Sequence, residues 1–168
     1  MDDLDDMDHR IVTALRACGT DPRVAAAART LSWAGEHGAL WIAAGLTAAA
    51  VDRGRRTAWL RGTALTAGAH LASMGVKRVV RRPRPAHVTP LVHTAGRHSF
   101  PSSHATSAAA AAVVFGTLGV RAAWPLAAAV CASRLVAGVH YPTDVAAGAA
   151  LGALTARLGT GWMHGGAR

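Results

Sequence analysis

Apolar stretches separated by short basic or proline-bearing breaks run through most of this chain. Residues 38–51 (GALWIAAGLTAAAV), 57–76, 103–120, 122–139 and 142–158 are dominated by Ala, Val, Leu and Gly. The four later stretches, about 17–20 residues each, match a hydrocarbon layer of about 30 Å. The start differs. Asp2, Asp3, Asp5, Asp6 and Asp8 form an acidic tail, followed by Ile11, Val12 and Leu15 interleaved with Arg10 and Arg16. That pattern predicts a short amphipathic helix within 1–21, lying on a membrane or bundle surface. Asp21-Pro22 supplies an N-cap with proline at the first helical position. The segment 22–35 that follows carries Arg23 and Arg29 and is too short and charged to span alone. Asp52-Arg53-Gly54-Arg55-Arg56 is a basic turn, and Arg121 and Pro142 mark later helix boundaries. Residues 77–102 hold Pro83, Pro85, Pro90 and Pro101 and read as one long loop, of the kind that carries function.

Composition turns this pattern into a class. In 168 residues, 51% are hydrophobic and only 5% aromatic, with 18 glycines. An Ala/Gly-rich chain of this kind suits helices that approach one another closely inside a membrane. The expectation is therefore an all-α integral membrane bundle, a single domain over 1–168, with N-terminal helices in 22–76, a catalytic loop at 77–102 and C-terminal helices in 103–158. The net charge of +9 raises nucleic acid as a partner. The cations fall between apolar runs, with no aromatic-interleaved basic face and no nucleic-acid motif, so none is expected. Cys18 and Cys131 have neither disulfide nor metal-ligand spacing. The acidic start lacks the positive region of a signal peptide.

Three polar clusters interrupt the apolar C-terminal half. Lys77-Arg78-Val79-Val80-Arg81-Arg82-Pro83-Arg84-Pro85 contains the only lysine of the chain, a compact point charge among arginines. Pro101-Ser102-Ser103-His104 opens a helix, where serine caps and free N–H groups attract an anion. Ser133-Arg134 through His140 to Asp144 places an arginine, a histidine and the only acid after Asp52 within twelve residues. An acid one helical turn after His140 can fix its tautomer and leave the other ring nitrogen free as nucleophile or base. Each cluster alone also has an ordinary structural reading: a solvated basic loop, a helix cap, a polar network between helix ends. Together they supply three cations, serine donors, two histidines and one orienting acid. That inventory suits phosphoryl transfer, with cations on the phosphoryl oxygens, one histidine attacking and the other protonating the leaving oxygen. One carboxylate is too few for a two-metal site, so no metal and no cofactor is expected.

The three clusters resemble the signature of the type-2 phosphatidic acid phosphatase (lipid phosphate phosphatase) superfamily, K-x6-R-P, P-S-G-H and S-R-x5-H-x3-D. Here they stand as Lys77 to Arg84-Pro85, Pro101 to His104, and Ser133-Arg134 to His140 to Asp144, about 68 residues in all. The resemblance implies that fold and the following roles. His140 is the nucleophile that forms a phosphohistidine, and Asp144 orients it. His104 protonates the leaving group and later activates water. Lys77, Arg84 and Arg134 clamp the phosphate, with Ser102, Ser103 and the adjoining backbone as further donors. Two departures stand out: Ser103 where the pattern has glycine, and an N-terminal part shorter than the usual six full spans. Small size, Gly35-Glu36-His37-Gly38 and the Ala/Arg bias resemble actinobacterial members that act on decaprenyl-linked phosphoribose in cell-wall arabinan synthesis. A polyprenyl-linked phosphate is thus the leading substrate class, ahead of a polyprenyl pyrophosphate or phosphatidic acid. A silent lipid-binding protein of the same fold and a vanadate-dependent haloperoxidase are the competing classes. Glu36 and His37 are expected on the same face as the catalytic loop, either shaping the substrate entrance or capping the helix at the interface. The protein is expected in the cell membrane, multi-pass, with an outward-facing site.

Overall fold

The computed structural model describes residues 2–94 and 96–165; Met1, Ala95 and residues 166–168 lie outside the described residues. Seven α-helices follow one another: α1 Asp2–Cys18, α2 Pro22–Ala34, α3 Ala39–Val51, α4 Arg56–Val80, α5 Ser103–Thr117, α6 Ala123–Val136 and α7 Pro142–Met163. Two short 3-10 turns, Glu36–Gly38 and Arg53–Arg55, precede α3 and α4.

Helix α5 is the axis of the bundle, because alanine and valine on every side let other helices close around it. Ala105, Ala108, Ala110, Ala111, Ala112 and Val114 are all fully buried. Its tightest neighbour is α7. A Cβ at Gly148 would lie 2.5 Å from the Ser102 carbonyl oxygen, and one at Gly152 would collide with the carbonyl of Thr106. This small-x-x-x-small spacing lets two backbones touch. Trp41, Trp59 and Phe115 fill the far part of the core with edge-on ring contacts.

Helices α1 and α2 lie against the end of the bundle where α4 and α6 finish and α5 and α7 begin. Asp21 caps α2 as expected, accepting from the Arg23 and Val24 N–H groups. The acidic tail is itself part of α1: carboxylates at a helix N-terminus are favoured by the dipole.

Several expected boundaries are corrected. Helix α4 continues past Gly75 to Val80, so Lys77 sits in its last turn and the loop begins at residue 81. Arg81 ends the helix in the left-handed conformation, φ 53°, and Pro83 two residues on prevents resumption. Helices α5 and α6 have 15 and 14 residues, about 21–23 Å at the helical rise and short of the expected spans. Helix α7 instead runs on to Met163. Among the described residues no helix is long and apolar enough to cross a membrane.

Candidate active site

The loop from 81 to 102 is pinned on several sides. The Ser99 N–H donates to the Arg82 carbonyl at 2.8 Å, and its hydroxyl donates to Pro83. Arg16 of α1 donates to Thr89, Arg29 of α2 to Leu91, and the Leu91 N–H to Ala137. A proline-rich segment with few backbone donors is thereby held in one shape, and its cations acquire fixed positions.

A cleft of about 280 Å³ opens at this end of the bundle. Its wall includes Lys77, Arg84, Ser103, His104, Arg134 and His140, six of the eight residues singled out from sequence. Asp144 stands behind His140. Ser102 also stands behind: its hydroxyl accepts from the Ala105 N–H as the cap of α5, and its own N–H donates to the Asp144 carbonyl at 2.9 Å. The Ser103 hydroxyl lines the cleft, 2.9 Å from that of Ser73.

The cations differ in how they are held. Lys77 Nζ donates to the His98 and Ser99 carbonyls at 3.3 and 3.4 Å. Arg84 donates through Nε to Gly96 and through Nη1 to Val139 at 2.7 Å, and the same Nη1 lies 3.3 Å from His140 Nε2. Arg134 is only 2% exposed, yet its Nε and Nη1 have no acceptor among the described residues. A buried, unpaired guanidinium is costly, and a planar fork of donors matches phosphate oxygens.

The two histidines are held by different devices. His140 precedes α7, and its Nδ1 is 3.6 Å from Asp144 Oδ2, beyond hydrogen-bond length but within ion-pair range. Asp144 is fixed by the Tyr141 N–H at 2.8 Å on Oδ2 and by Arg82 Nη1 at 3.0 Å on Oδ1. With the acid on the Nδ1 side, the proton is assigned to Nδ1 and the lone pair to Nε2, facing Arg84. Burial lowers the His140 pKa to about 3; Asp144 opposes this, while Arg84, Arg134 and Lys77 add to it. Burial thus favours the neutral ring, whose Nε2 lone pair is able to attack an electrophile. His104 donates through Nε2 to the Ser32 carbonyl at 2.9 Å, with Glu36 Oε2 at 3.8 Å from the same nitrogen. That bond from α2 orients the ring and leaves Nδ1 to exchange a proton.

Glu36 and His37 line the same cleft, as expected, together with His70, Met74, Thr94 and Gly96. His37 adopts φ 53° and Gly38 φ 72°, a left-handed pair that turns α2 into α3 beside the site. Sequence reasoning missed Arg82 and Asp8. Arg82 bridges Asp144, Thr143 and the fully buried Asp8 of α1. Burial lowers the Arg82 pKa, but the Asp8 bond and the Asp144 charge outweigh it and raise the value overall. The available signal was charge complementarity: five acids in the first eight residues and a basic run at 77–84. Among the described residues, the loop histidines His87, His93 and His98 included, no three His, Cys, Asp or Glu side chains group to hold a metal ion.

Comparison with known proteins agrees with the geometry. Residues 57–167 match the PAP2 superfamily. The decaprenylphosphoryl-5-phosphoribose phosphatase of Mycolicibacterium smegmatis is 45% identical over 141 residues, 82% of this chain and 78% of that protein. The protein of the same name from Mycobacterium tuberculosis is 41% identical over 147 residues, covering 85% and 83%. The crystal structure of a transmembrane PAP2 type phosphatidylglycerolphosphate phosphatase from Bacillus subtilis superposes with TM-score 0.86 at 25% identity, over all of this chain and 90% of that one. With the family match over residues 57–167, relatives above 40% identity and the same fold, this chain belongs to the PAP2 superfamily and is a phosphatase.

Proposed function

We propose that the protein removes the terminal phosphate from a polyprenyl-linked phosphosugar, through a phosphohistidine on His140. The observation that carries this reading is the buried Arg134: it lines a cleft that also holds Lys77, Arg84 and both histidines, and its Nε and Nη1 have no acceptor among the described residues. A phosphate monoester supplies oxygen acceptors and up to two negative charges for these cations.

In the first step His140 Nε2 attacks phosphorus. The bond from phosphorus to the leaving oxygen breaks, and His104, entering the step as the imidazolium with Nε2–H on the Ser32 carbonyl, gives that oxygen its Nδ1 proton. The imidazole becomes cationic as the P–N bond forms, and Asp144 offsets the new charge. In the second step water attacks the phosphohistidine, His104 takes its proton, and the P–N bond breaks. Inorganic phosphate leaves, and both histidines return to their starting states.

A sugar-bearing head group is favoured because the cleft also has polar side chains that the phosphate cluster does not use. Glu36, His37 and Thr94 line it and offer acceptors and donors for hydroxyl groups. The relatives named for decaprenylphosphoryl-5-phosphoribose support the same choice. Placement in the cell membrane is supported by the exposed apolar exterior, which includes Leu71 at 66%, Val79 at 82% and Leu158 at 86%. Exposed arginines lie at both ends, Arg53, Arg55, Arg56, Arg121 and Arg157 away from the cleft and Arg78, Arg81 and Arg97 beside it.

Phosphate release by detergent-purified protein in chelator tests the reading, with polyprenyl phosphoribose 5-phosphate, polyprenyl pyrophosphate and phosphatidic acid as substrates. The expected result is preferential release from the phosphosugar, lost in His140→Ala. Preference for phosphatidic acid or the pyrophosphate would overturn the substrate class. Release surviving in His140→Ala would overturn the nucleophile.

A further inference from the structure

The acidic helix α1 reaches the catalytic acid through one arginine. The Asp8 carboxylate is fully buried, which is unusual for an ion unless it is paired. It takes three donors: the Thr143 N–H at 3.1 Å, the Thr143 hydroxyl, and Arg82 Nη2 at 2.9 Å. Arg82 turns its other nitrogen, Nη1, to Asp144 Oδ1 at 3.0 Å and to the Thr143 hydroxyl at 2.6 Å. Its guanidinium lies over the Tyr141 ring, 4.2 Å from the centroid. His9, the next residue of α1, places Nε2 3.3 Å from the Tyr141 hydroxyl. Residues 5–9 of α1 therefore hold the segment 141–144, which carries the acid behind the nucleophile.

Charge counting gives the arrangement a purpose. With Arg82 alone beside it, Asp144 would be neutralised and would offer little to an imidazole turning cationic. With Asp8 as second partner, the group of two carboxylates and one guanidinium keeps one net negative charge. Asp144 Oδ2 is the oxygen of that group nearest His140. Asp5 also contacts Arg82, at 3.2 Å, but its carboxylate is 58% exposed and screened by solvent.

We propose that Asp8 and Arg82 are positioning residues for the reaction: Asp8 occupies Arg82, so that Arg82 fixes Asp144 in place without cancelling its charge toward His140. This rests on the reading of His140 as nucleophile. Neither residue touches the cleft, so their effect falls on the chemical step and not on lipid binding.

The test is steady-state phosphate release in detergent and chelator by wild type, Asp8→Asn, Arg82→Lys, Asp5→Asn, Asp144→Asn and the double variant Asp8→Asn/Asp144→Asn. Asp8→Asn keeps the shape and an oxygen acceptor but removes the charge. It is expected to lower kcat by roughly tenfold to a hundredfold, as other outer-sphere changes do, with KM within about twofold. Arg82→Lys keeps the charge but loses the two-armed bridge and is expected to fall in the same range. Asp5→Asn is expected within about twofold of wild type. In the Asp144→Asn background, Asp8→Asn is expected to cost nothing further, because its effect passes through Asp144. An Asp8→Asn kcat equal to wild type overturns the proposal. So does the same fold-loss in both backgrounds, or a loss confined to KM. Should Asp8→Asn fail to fold, Arg82→Lys decides alone: unchanged kcat overturns the proposal, and lowered kcat at constant KM upholds it. No release by wild type, or release surviving in His140→Ala, would instead overturn the nucleophile reading and this inference with it.

Discussion

The arginines far from the cleft and those that turn inward beside it are used in opposite ways. At the end away from the cleft, Arg53, Arg56, Arg121 and Arg157 extend into the surroundings, and Arg55 pairs with Asp52 at the surface. At the cleft end, Arg82 and Arg84 are largely enclosed and Arg134 is almost completely buried. Composition alone treats these side chains as equal. Their surroundings do not, because a guanidinium withdrawn from water must find acceptors, whereas an exposed one is solvated at no cost. Arg82 finds its acceptors within the protein, and Arg134 has donors left over. The first arrangement builds structure. The second waits for a ligand.

The contrast can be broken most sharply at its chemical centre. Replacing His140 with alanine removes the proposed nucleophile and is expected to lower phosphate release at least about a thousandfold, read by phosphate assay. Arg134→Ala is expected to cost on the order of a hundredfold to a thousandfold in kcat/KM. Arg134→Lys should recover little, since an ammonium cannot reproduce the two-donor fork. Full recovery by lysine would show that charge alone matters there.

Stability probes the packing between the ends. Gly152→Ala puts a methyl group against the Thr106 carbonyl in the α5–α7 seam and is expected to destabilise by about 1–3 kcal/mol, seen as a lower unfolding midpoint in detergent. A pH series tests the burial of His140. Its ordinary value of 6.5 applies unfolded, and its folded value is lowered to about 3. Between these values the unfolded chain holds the extra proton, so stability is complete above about pH 6.5 and is lost as the pH falls toward 3. His140→Gln cannot take up that proton and should lessen the loss, with the remainder carried by His104, whose pKa burial also lowers to about 3. Smallest of all, Arg53→Gln at the exposed end should leave kcat/KM within about twofold.

The cleft was largely legible in the sequence because its residues violate their surroundings. Arg134, His140 and Asp144 stand in an apolar half, and Lys77 is a lone lysine, so the cost of burying them pointed to a shared ligand. The bundle was legible for the complementary reason, since long Ala- and Val-rich stretches have few alternatives to helix. Asp8 and Arg82 were hidden because each lies in a run of like charges, where any one member looks solvated. Which member turns inward depends on the fold: α1 lying against the 141–144 segment chooses Asp8. Ser102 could not be separated from Ser103 by type. Adjacent positions at a helix start point in different directions, and the cap geometry sends Ser102 behind the site and Ser103 into it. Helix ends were displaced where Gly75 failed to stop α4, since a single glycine costs only about 1 kcal/mol inside a helix.

The most direct measurement is capture of the covalent intermediate. Protein turning over a polyprenyl phosphoribose 5-phosphate in chelator is quenched in alkali, which preserves phosphohistidine, and the phosphate is located by peptide mass spectrometry. The account predicts phosphate on His140, absent in His140→Ala and enriched in His104→Ala supplied with a substrate whose leaving group needs no proton. Turnover with no phosphate on the protein, or with phosphate on a different residue, would contradict it.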